Sequence, residues 1–323
     1  MRTGRDAPHP LRHRPSLAGT GRPAYLSGVP SEIPAPMPFR PFDALRALLP
    51  ERWARRHPVV PVVRLSGAIG AVSPLRAGLS LGACSPALER AFGMKGIRAV
   101  AIVINSPGGS AAQSHLIFRR IRALAAEAEV PVLAFVEDVA ASGGYMIACA
   151  ADEIFCDPAS LVGSIGVVSA GFGFTGLIER LGVERRVHTA GKAKAMLDPF
   201  RPENPDDVAR LKIIQADVQA MFTELVRSRR PALSGDPDEL FSGAVWTGRQ
   251  GLALGLVDGH GDVRSVLRSR FGDTVRLPVV EQARGGLLSR LLRRREPGAV
   301  GIAAIEGMLA TLDERAAFAR YGL

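Results

Sequence analysis

Between Val59 and Phe271, short β-branched runs alternate with apolar patterns at helical spacing, and this alternation restricts the fold more than any other feature of the chain. Strand-like runs fall at Val59–Leu65, Arg98–Ile104, Val130–Val136, Glu153–Cys156, Val162–Val168, Val183–His188, Gly243–Trp246 and Leu256–Asp258. Helical patterns lie between them at Ser110–Glu127, Ser142–Ala151, Leu177–Leu181, Asp206–Arg227 and Gly248–Leu254, with a last one at Asp262–Phe271. Strands separated by helices pair in parallel through crossovers, so the pattern predicts an α/β domain with largely parallel pairing. Apolar residues make up 47% of the 323, enough for a substantial core. No sequence repeat is found within the chain.

The flanks read differently. Residues 1–40 are rich in Pro, Gly, Ser, His and Arg, and read as disorder or as translated upstream sequence with the start at Met37. Residues 41–57 form a basic amphipathic segment, with Phe42, Leu45, Leu48, Leu49 and Trp53 set among arginines. The organised domain is placed at 58–275. A C-terminal extension, 276–323, holds a second basic amphipathic stretch at Leu287–Arg295 and one helix at Gly301–Tyr321. No apolar run reaches the roughly 20 residues that span a bilayer, and no secretory signal is visible. The expected location is cytoplasmic or peripheral to the inner membrane, with contact to anionic lipid through the basic segments.

The net charge of +10 is concentrated in arginine clusters such as Arg119, Arg120 and Arg122. Aromatic residues are only 6% and are not interleaved with these clusters, which argues against base stacking and for a solvated arginine surface. No nucleic-acid partner is expected. Cys84, Cys149 and Cys156 form neither a CxxC pair nor a zinc spacing and read as small core residues. No metal and no cofactor is expected.

Three segments carry chemistry. Asn105-Ser106-Pro107-Gly108-Gly109-Ser110 leaves a strand and enters a helix, a place where backbone N–H groups can face an anionic oxygen. Taken alone, it is equally an ordinary strand–helix turn. Ala141-Ser142-Gly143-Gly144-Tyr145 also follows a strand and opens a helix, so Ser142 is either a nucleophile or an inert N-cap. The third segment is Gly191-Lys192-Ala193-Lys194-Ala195-Met196, holding two of only four lysines among 41 basic residues. Arginine cannot lose its proton in a protein, whereas a lysine shielded from water can serve as a base. His188 is an alternative base, and His115 reads as structural.

Together these residues resemble the signal peptide peptidase A family of serine–lysine peptidases, peptidase family S49. The resemblance runs from about Val59 to Phe271. It rests on Asn105–Ser110, Asp138–Tyr145, Val162–Val167, the lysine segment, Trp246–Gly251 and Gly255–Asp258. It implies a ClpP/crotonase-like α/β fold of repeated ββα units with parallel sheets that forms oligomers. It further implies Ser142 as nucleophile, Lys194 rather than Lys192 as base, and Gly108, Gly109 and Gly143 as backbone oxyanion donors. Tyr145 and Ser164 become candidates for lining the substrate, Tyr145 mainly as packing. The implied substrates are apolar peptides or unfolded protein, and the implied assembly is a homo-oligomer sharing the dyad between neighbouring subunits. Two other readings compete: a crotonase-type enzyme acting on acyl-CoA, and a non-catalytic membrane-associated scaffold of the same fold.

Overall fold

The computed structural model describes residues 57–70, 72, 73, 76–281, 318, 319 and 321. The segments 1–40, 41–56 and 287–295, and nearly all of 301–321, lie outside these residues.

Four parallel strands form the centre: β1 (Val62–Ser66), β4 (Val100–Ser106), β5 (Val132–Ala141) and β6 (Glu153–Cys156), adjacent in that order. Two short strands, β2 (Val72–Ser73) and β3 (Arg76–Ala77), form a separate antiparallel pair. Val100–Ile104 of β4 and the first half of β5 are unbroken apolar runs because helices cover both of their faces. The two-residue alternation of side chains is visible in the core. Ile102 and Ile104 pack on one side with Ile117 and Ile121, while Ala101 and Val103 pack on the other with Leu267. The first side is covered by α1 (Leu81–Phe92), α2 (Ala111–Ala128) and α3 (Gly143–Ala148).

β5 is long because it serves two sets of neighbours. Its first half, Leu133–Val136, pairs with β6, and its end, Val139–Ala141, pairs in parallel with β7 (Leu161–Gly163). Between these halves the register to β4 shifts, from Ile104 opposite Val136 to Ser106 opposite Ala140. Such irregularities re-aim a strand, and here the re-aimed end carries Ser142. After α4 (Thr175–Arg180), α5 (Pro205–Arg229) and α6 (Pro237–Leu240) comes β8 (Val245–Thr247), antiparallel to β7. α7 (Gly248–Ala253), β9 (Gly259–His260), α8 (Val263–Phe271) and β10 (Val279–Val280) complete the described elements. β9 flanks β6 and β10 flanks β1, both in parallel. This is the mixed α/β, mostly parallel architecture predicted by the alternation.

Several elements differ from the sequence reading. Val183–His188 is not a strand but irregular chain, exposed at every residue except Val187. A strand needs a neighbour for its N–H and C=O groups, and no described strand pairs with this stretch. Leu256–Asp258 is also irregular, and the strand lies just beyond it at β9. Val162–Val168 shortens to β7, because Ser164 turns to φ 51° and ends the pairing. The helix α1 has no counterpart in the sequence reading; it begins at Ser80, whose hydroxyl accepts the Ala83 N–H at 3.4 Å.

All three cysteines are buried. Burial pushes the Cys149 thiol up to about 12 and those of Cys84 and Cys156 to about 11. They remain protonated core residues. Two arginines of the 119–122 cluster are held internally: Arg120 pairs with Glu89 at 2.7 Å and Arg122 with Asp152 at 2.8 Å.

Candidate active site

Ser142 stands where the re-aimed end of β5 meets α3. Its backbone has φ 52° and ψ −120°, a conformation that L-residues other than glycine seldom adopt. Its N–H donates to the Gly163 carbonyl at 2.8 Å, and its carbonyl accepts the Met146 N–H at 3.0 Å, which starts the helix. The chain provides its own comparison for the N-cap alternative. Ser80 and Ser110 each open a helix and cap it with the side chain, whereas the Ser142 hydroxyl makes no cap hydrogen bond. Ser142 is thus half-buried, in a strained conformation, with no hydrogen bond to its hydroxyl among the described residues, a state compatible with a nucleophile.

The Gly108–Gly109 turn packs directly against it. A Cβ on Gly108 would lie 2.7 Å from Ser142 Cβ and 2.8 Å from the Ala141 carbonyl oxygen. A Cβ on Gly109 would lie 2.2 Å from the Ile69 carbonyl oxygen. Both glycines have positive φ, 102° and 140°, so space and conformation exclude a side chain at either position. The Ile69 N–H donates to the Gly108 carbonyl, and the Ser110 N–H donates to the Ile69 carbonyl, both at 2.8 Å. The Gly109 N–H lies between them and has no acceptor among the described residues. The Gly143 N–H, in the first turn of α3, likewise has none. The Gly108 N–H is different: it donates to the buried Ser106 hydroxyl at 3.2 Å, which donates onward to the Gly67 carbonyl at 2.7 Å. Among the described residues, the N–H groups of Gly109 and Gly143 have no acceptor, while that of Gly108 is occupied and the residue provides close approach.

Tyr145 requires a correction as a substrate-lining candidate. It is fully buried, and its hydroxyl donates to the Leu256 carbonyl at 2.8 Å, so it faces the core. Ser164 is half-buried beside Gly163, with its N–H on the Ala244 carbonyl at 2.7 Å and its hydroxyl 3.5 Å from that of Tyr321. His115 lies on α2 against Phe118, with ring centroids 6.2 Å apart. His188 is exposed.

Lys194 is exposed in a turn, and its amine has no partner among the described residues. The segment is anchored to the start of α5, where the Leu197 N–H donates to Asp207 Oδ2 at 3.2 Å. Asp198 accepts the Phe200 N–H, which with Arg185 and Arg201 holds its carboxyl below the usual range against the effect of burial. Phe200 stacks on Phe174 at 5.5 Å. The chain that accepts the Ser142 N–H at Gly163 meets a different stretch of the same helix, where Gln219 Nε2 donates to the Ile165 carbonyl at 3.3 Å. From Asp207 to Gln219 the helix rises about 18 Å. The lysine turn and the chain that follows Gly163 are therefore anchored at different stretches of α5. Lys192 lines a cavity of about 960 Å³ with Phe172, Leu197, Arg201 and Leu211.

The lobe carrying Lys194 is unusually apolar for exposed chain. Val168, Phe172, Leu181 and Val183 are 55–81% exposed, and Ile213 on α5 is 71% exposed. α4 buries no residue at all.

The sequence reading missed a polar cluster behind α3, composed of Arg229, Arg230 and Asp258. Asp258 lies in one of the motifs, but nothing local distinguishes the two arginines in a chain this rich in arginine.

The model of "Peptidase family S49" matches residues 125–271. A protein of Brucella abortus titled "Na(+)/H(+) antiporter NhaA" is 51% identical over 288 residues, 86% of this chain and 39% of that protein. A protein of Synechocystis sp. titled "Putative protease slr0021" is 31% identical over 189 residues, 57% of this chain and 68% of that protein. The chain thus spans only about two fifths of the Brucella relative. Among solved structures, a membrane-bound stomatin-specific protease, 1510-N, in complex with a substrate peptide is similar at 14% identity and a TM-score of 0.43. It covers 74% of this chain and 97% of that one.

Proposed function

The chain belongs to peptidase family S49, and from that premise we propose that it is a serine endopeptidase whose base, Lys194, comes from a neighbouring copy. The observation that carries the proposal is strained Ser142, whose hydroxyl caps no helix, next to two backbone N–H groups that have no acceptor among the described residues. In the proposed reaction, uncharged Lys194 of the neighbour takes the Ser142 proton as Oγ attacks a peptide carbonyl. The Gly109 and Gly143 N–H groups receive the oxyanion. Lysine then gives the proton to the leaving amine, and water, deprotonated by the same lysine, hydrolyses the ester.

Two observations favour a second copy as the source of the base. The lysine turn and the chain after Gly163 are anchored at different stretches of α5, and Val168, Phe172, Leu181, Val183 and Ile213 are exposed apolar side chains. Docking the lobe that carries Lys194 on a neighbour would bury those side chains and shield the amine from water. Apolar peptide segments, such as remnant signal peptides or loosened membrane-protein segments, are the proposed substrates.

The antiporter name describes the Brucella protein, of which this chain spans only 39%. No helix among the described residues is long and apolar enough to cross a membrane. Peripheral contact with anionic lipid through residues 41–57 is part of the proposal; full-length protein that stays unbound on anionic vesicles at low salt would remove that part.

A fluorophosphonate probe tests the chemistry. It should label Ser142 in the wild type, fail on Ser142→Ala, and react far more slowly with Lys194→Ala. Labelling that survives Lys194→Ala but is lost in His188→Ala would move the base to histidine. Absence of wild-type labelling would leave the acyl-CoA and scaffold readings.

A further inference from the structure

Every residue of α3 is buried, so the position of Ser142 at its start is set by what grips the helix from behind. Two consecutive arginines at the end of α5 do this by separate routes. Arg229 donates from Nε to the Cys149 carbonyl at 3.0 Å and from Nη2 to the Ala151 carbonyl at 2.9 Å. Cys149 is the C-cap of α3 and Ala151 lies two residues beyond it, so the cation sits where it satisfies an orphan acceptor and complements the helix dipole. Arg230 is only 4% exposed. Its guanidinium forms a two-pronged pair with Asp258, Nη1 to Oδ2 at 2.7 Å and Nη2 to Oδ1 at 2.9 Å. Its Nε donates to the Gly255 carbonyl at 3.1 Å, and Asp258 also accepts the Ile154 N–H at 2.7 Å.

The turn fixed in this way, residues 255–258, presents the Leu256 carbonyl to the Tyr145 hydroxyl at 2.8 Å. The turn has little room to shift, since a Cβ on Gly255 would lie 2.2 Å from the Ala232 carbonyl oxygen. Tyr145 follows Ser142 by three residues, close to one helical turn. Burial holds the Tyr145 hydroxyl well above its ordinary range, so it remains a donor.

We propose that Arg230, Asp258 and Tyr145 form a chain of positioning residues that fixes the rotation of α3 and so holds Ser142 with its hydroxyl beside the Gly109 and Gly143 amides. The proposal rests on Ser142 as the nucleophile. Arg230 is buried while the Asp258 side chain is 32% exposed, and an ion pair with a buried member adds little stability over an apolar filling of the same volume. What it adds is direction: a rigid fork on a fixed turn, with one hydrogen bond to the first turn of the helix. A backbone conformation such as that of Ser142 persists only where its surroundings over-determine it.

The test is fluorophosphonate labelling of the full chain, resolved into the affinity for the probe and the maximal labelling rate, on assemblies kept well below their melting temperature. Tyr145→Phe removes one hydroxyl and keeps the ring. It should lower the maximal rate about tenfold or more and leave the affinity unchanged, since a small misplacement of a reacting group acts on rate. Asp258→Asn, which keeps the shape but loses the charge facing Arg230, should do the same and provides a second folded variant. Wild-type labelling rates in folded Tyr145→Phe, or a loss confined to affinity, would overturn the proposal. A wild type that is not labelled at Ser142, checked by peptide mapping, would instead remove the premise.

Discussion

Co-assembly of Ser142→Ala subunits with Lys194→Ala subunits should restore peptidase activity that neither variant has alone. Each homogeneous variant should lie about 10⁴-fold below wild type, the scale on which removal of a catalytic dyad member acts. In a heterologous ring, each site takes its serine from one copy and its lysine from the next. With random mixing at equal amounts, a site is intact when a Lys194→Ala copy supplies the serine and a Ser142→Ala copy supplies the lysine. That arrangement gives about one quarter of wild-type activity in a ring of this symmetry. What motivates the experiment is that the two segments are anchored at different stretches of α5. The lysine turn is fixed to Asp207 at the start of the helix and the chain after Gly163 to Gln219 in its second half. Co-expressed variants that form mixed assemblies, verified by mass, yet remain inactive would sink the shared dyad.

How much of this was legible in the sequence follows from where each signal resides. β4 and α2 were readable to within two residues, and the first half of β5 likewise, because their apolar runs and stripes are set by burial of the element itself; the end of β5, Glu137–Ala141, was missed. Val183–His188 has strand-like composition, yet its fate depends on a neighbour that the described fold does not provide. The serine, glycine and lysine segments stood out by residue type and spacing. The features that separate a nucleophile from a cap did not, because Ser80, Ser110 and Ser142 all precede helices and only geometry distinguishes the third. The division of labour among the glycines was hidden for a similar reason. The Gly108 N–H is taken by Ser106, two residues earlier, through a side chain that could equally have pointed elsewhere. Arg230 was illegible because its importance lies in contacts with residues more than twenty positions away.

Gly143→Ala should lower kcat by about 10² or more, the cost of displacing one oxyanion donor, with little change in KM. The backbone at Gly143 is not in the left-handed region, so the penalty is purely one of space. The added Cβ would lie 2.2 Å from Ser114 Oγ, and the next contacts are Ser114 Cβ at 3.1 Å and Ile69 Cδ1 at 3.3 Å. Ser114 is itself fixed, because its hydroxyl donates to the Ser110 carbonyl at 2.8 Å and the residue is fully buried. The start of α3 must therefore move, carrying the Gly143 N–H and Ser142 away from the Gly109 amide. Removing the obstructing oxygen should reverse much of this loss. Ser114→Ala in the Gly143→Ala background should recover at least about tenfold in kcat, a coupling expected only between groups in direct contact. Ser114→Ala alone loses one hydrogen bond and should stay close to wild-type activity, since a single neutral bond contributes only about 1 kcal/mol. If Gly143→Ala merely lowered the melting temperature and left kcat intact, Gly143 would be a packing residue, and the oxyanion would have to be received without it.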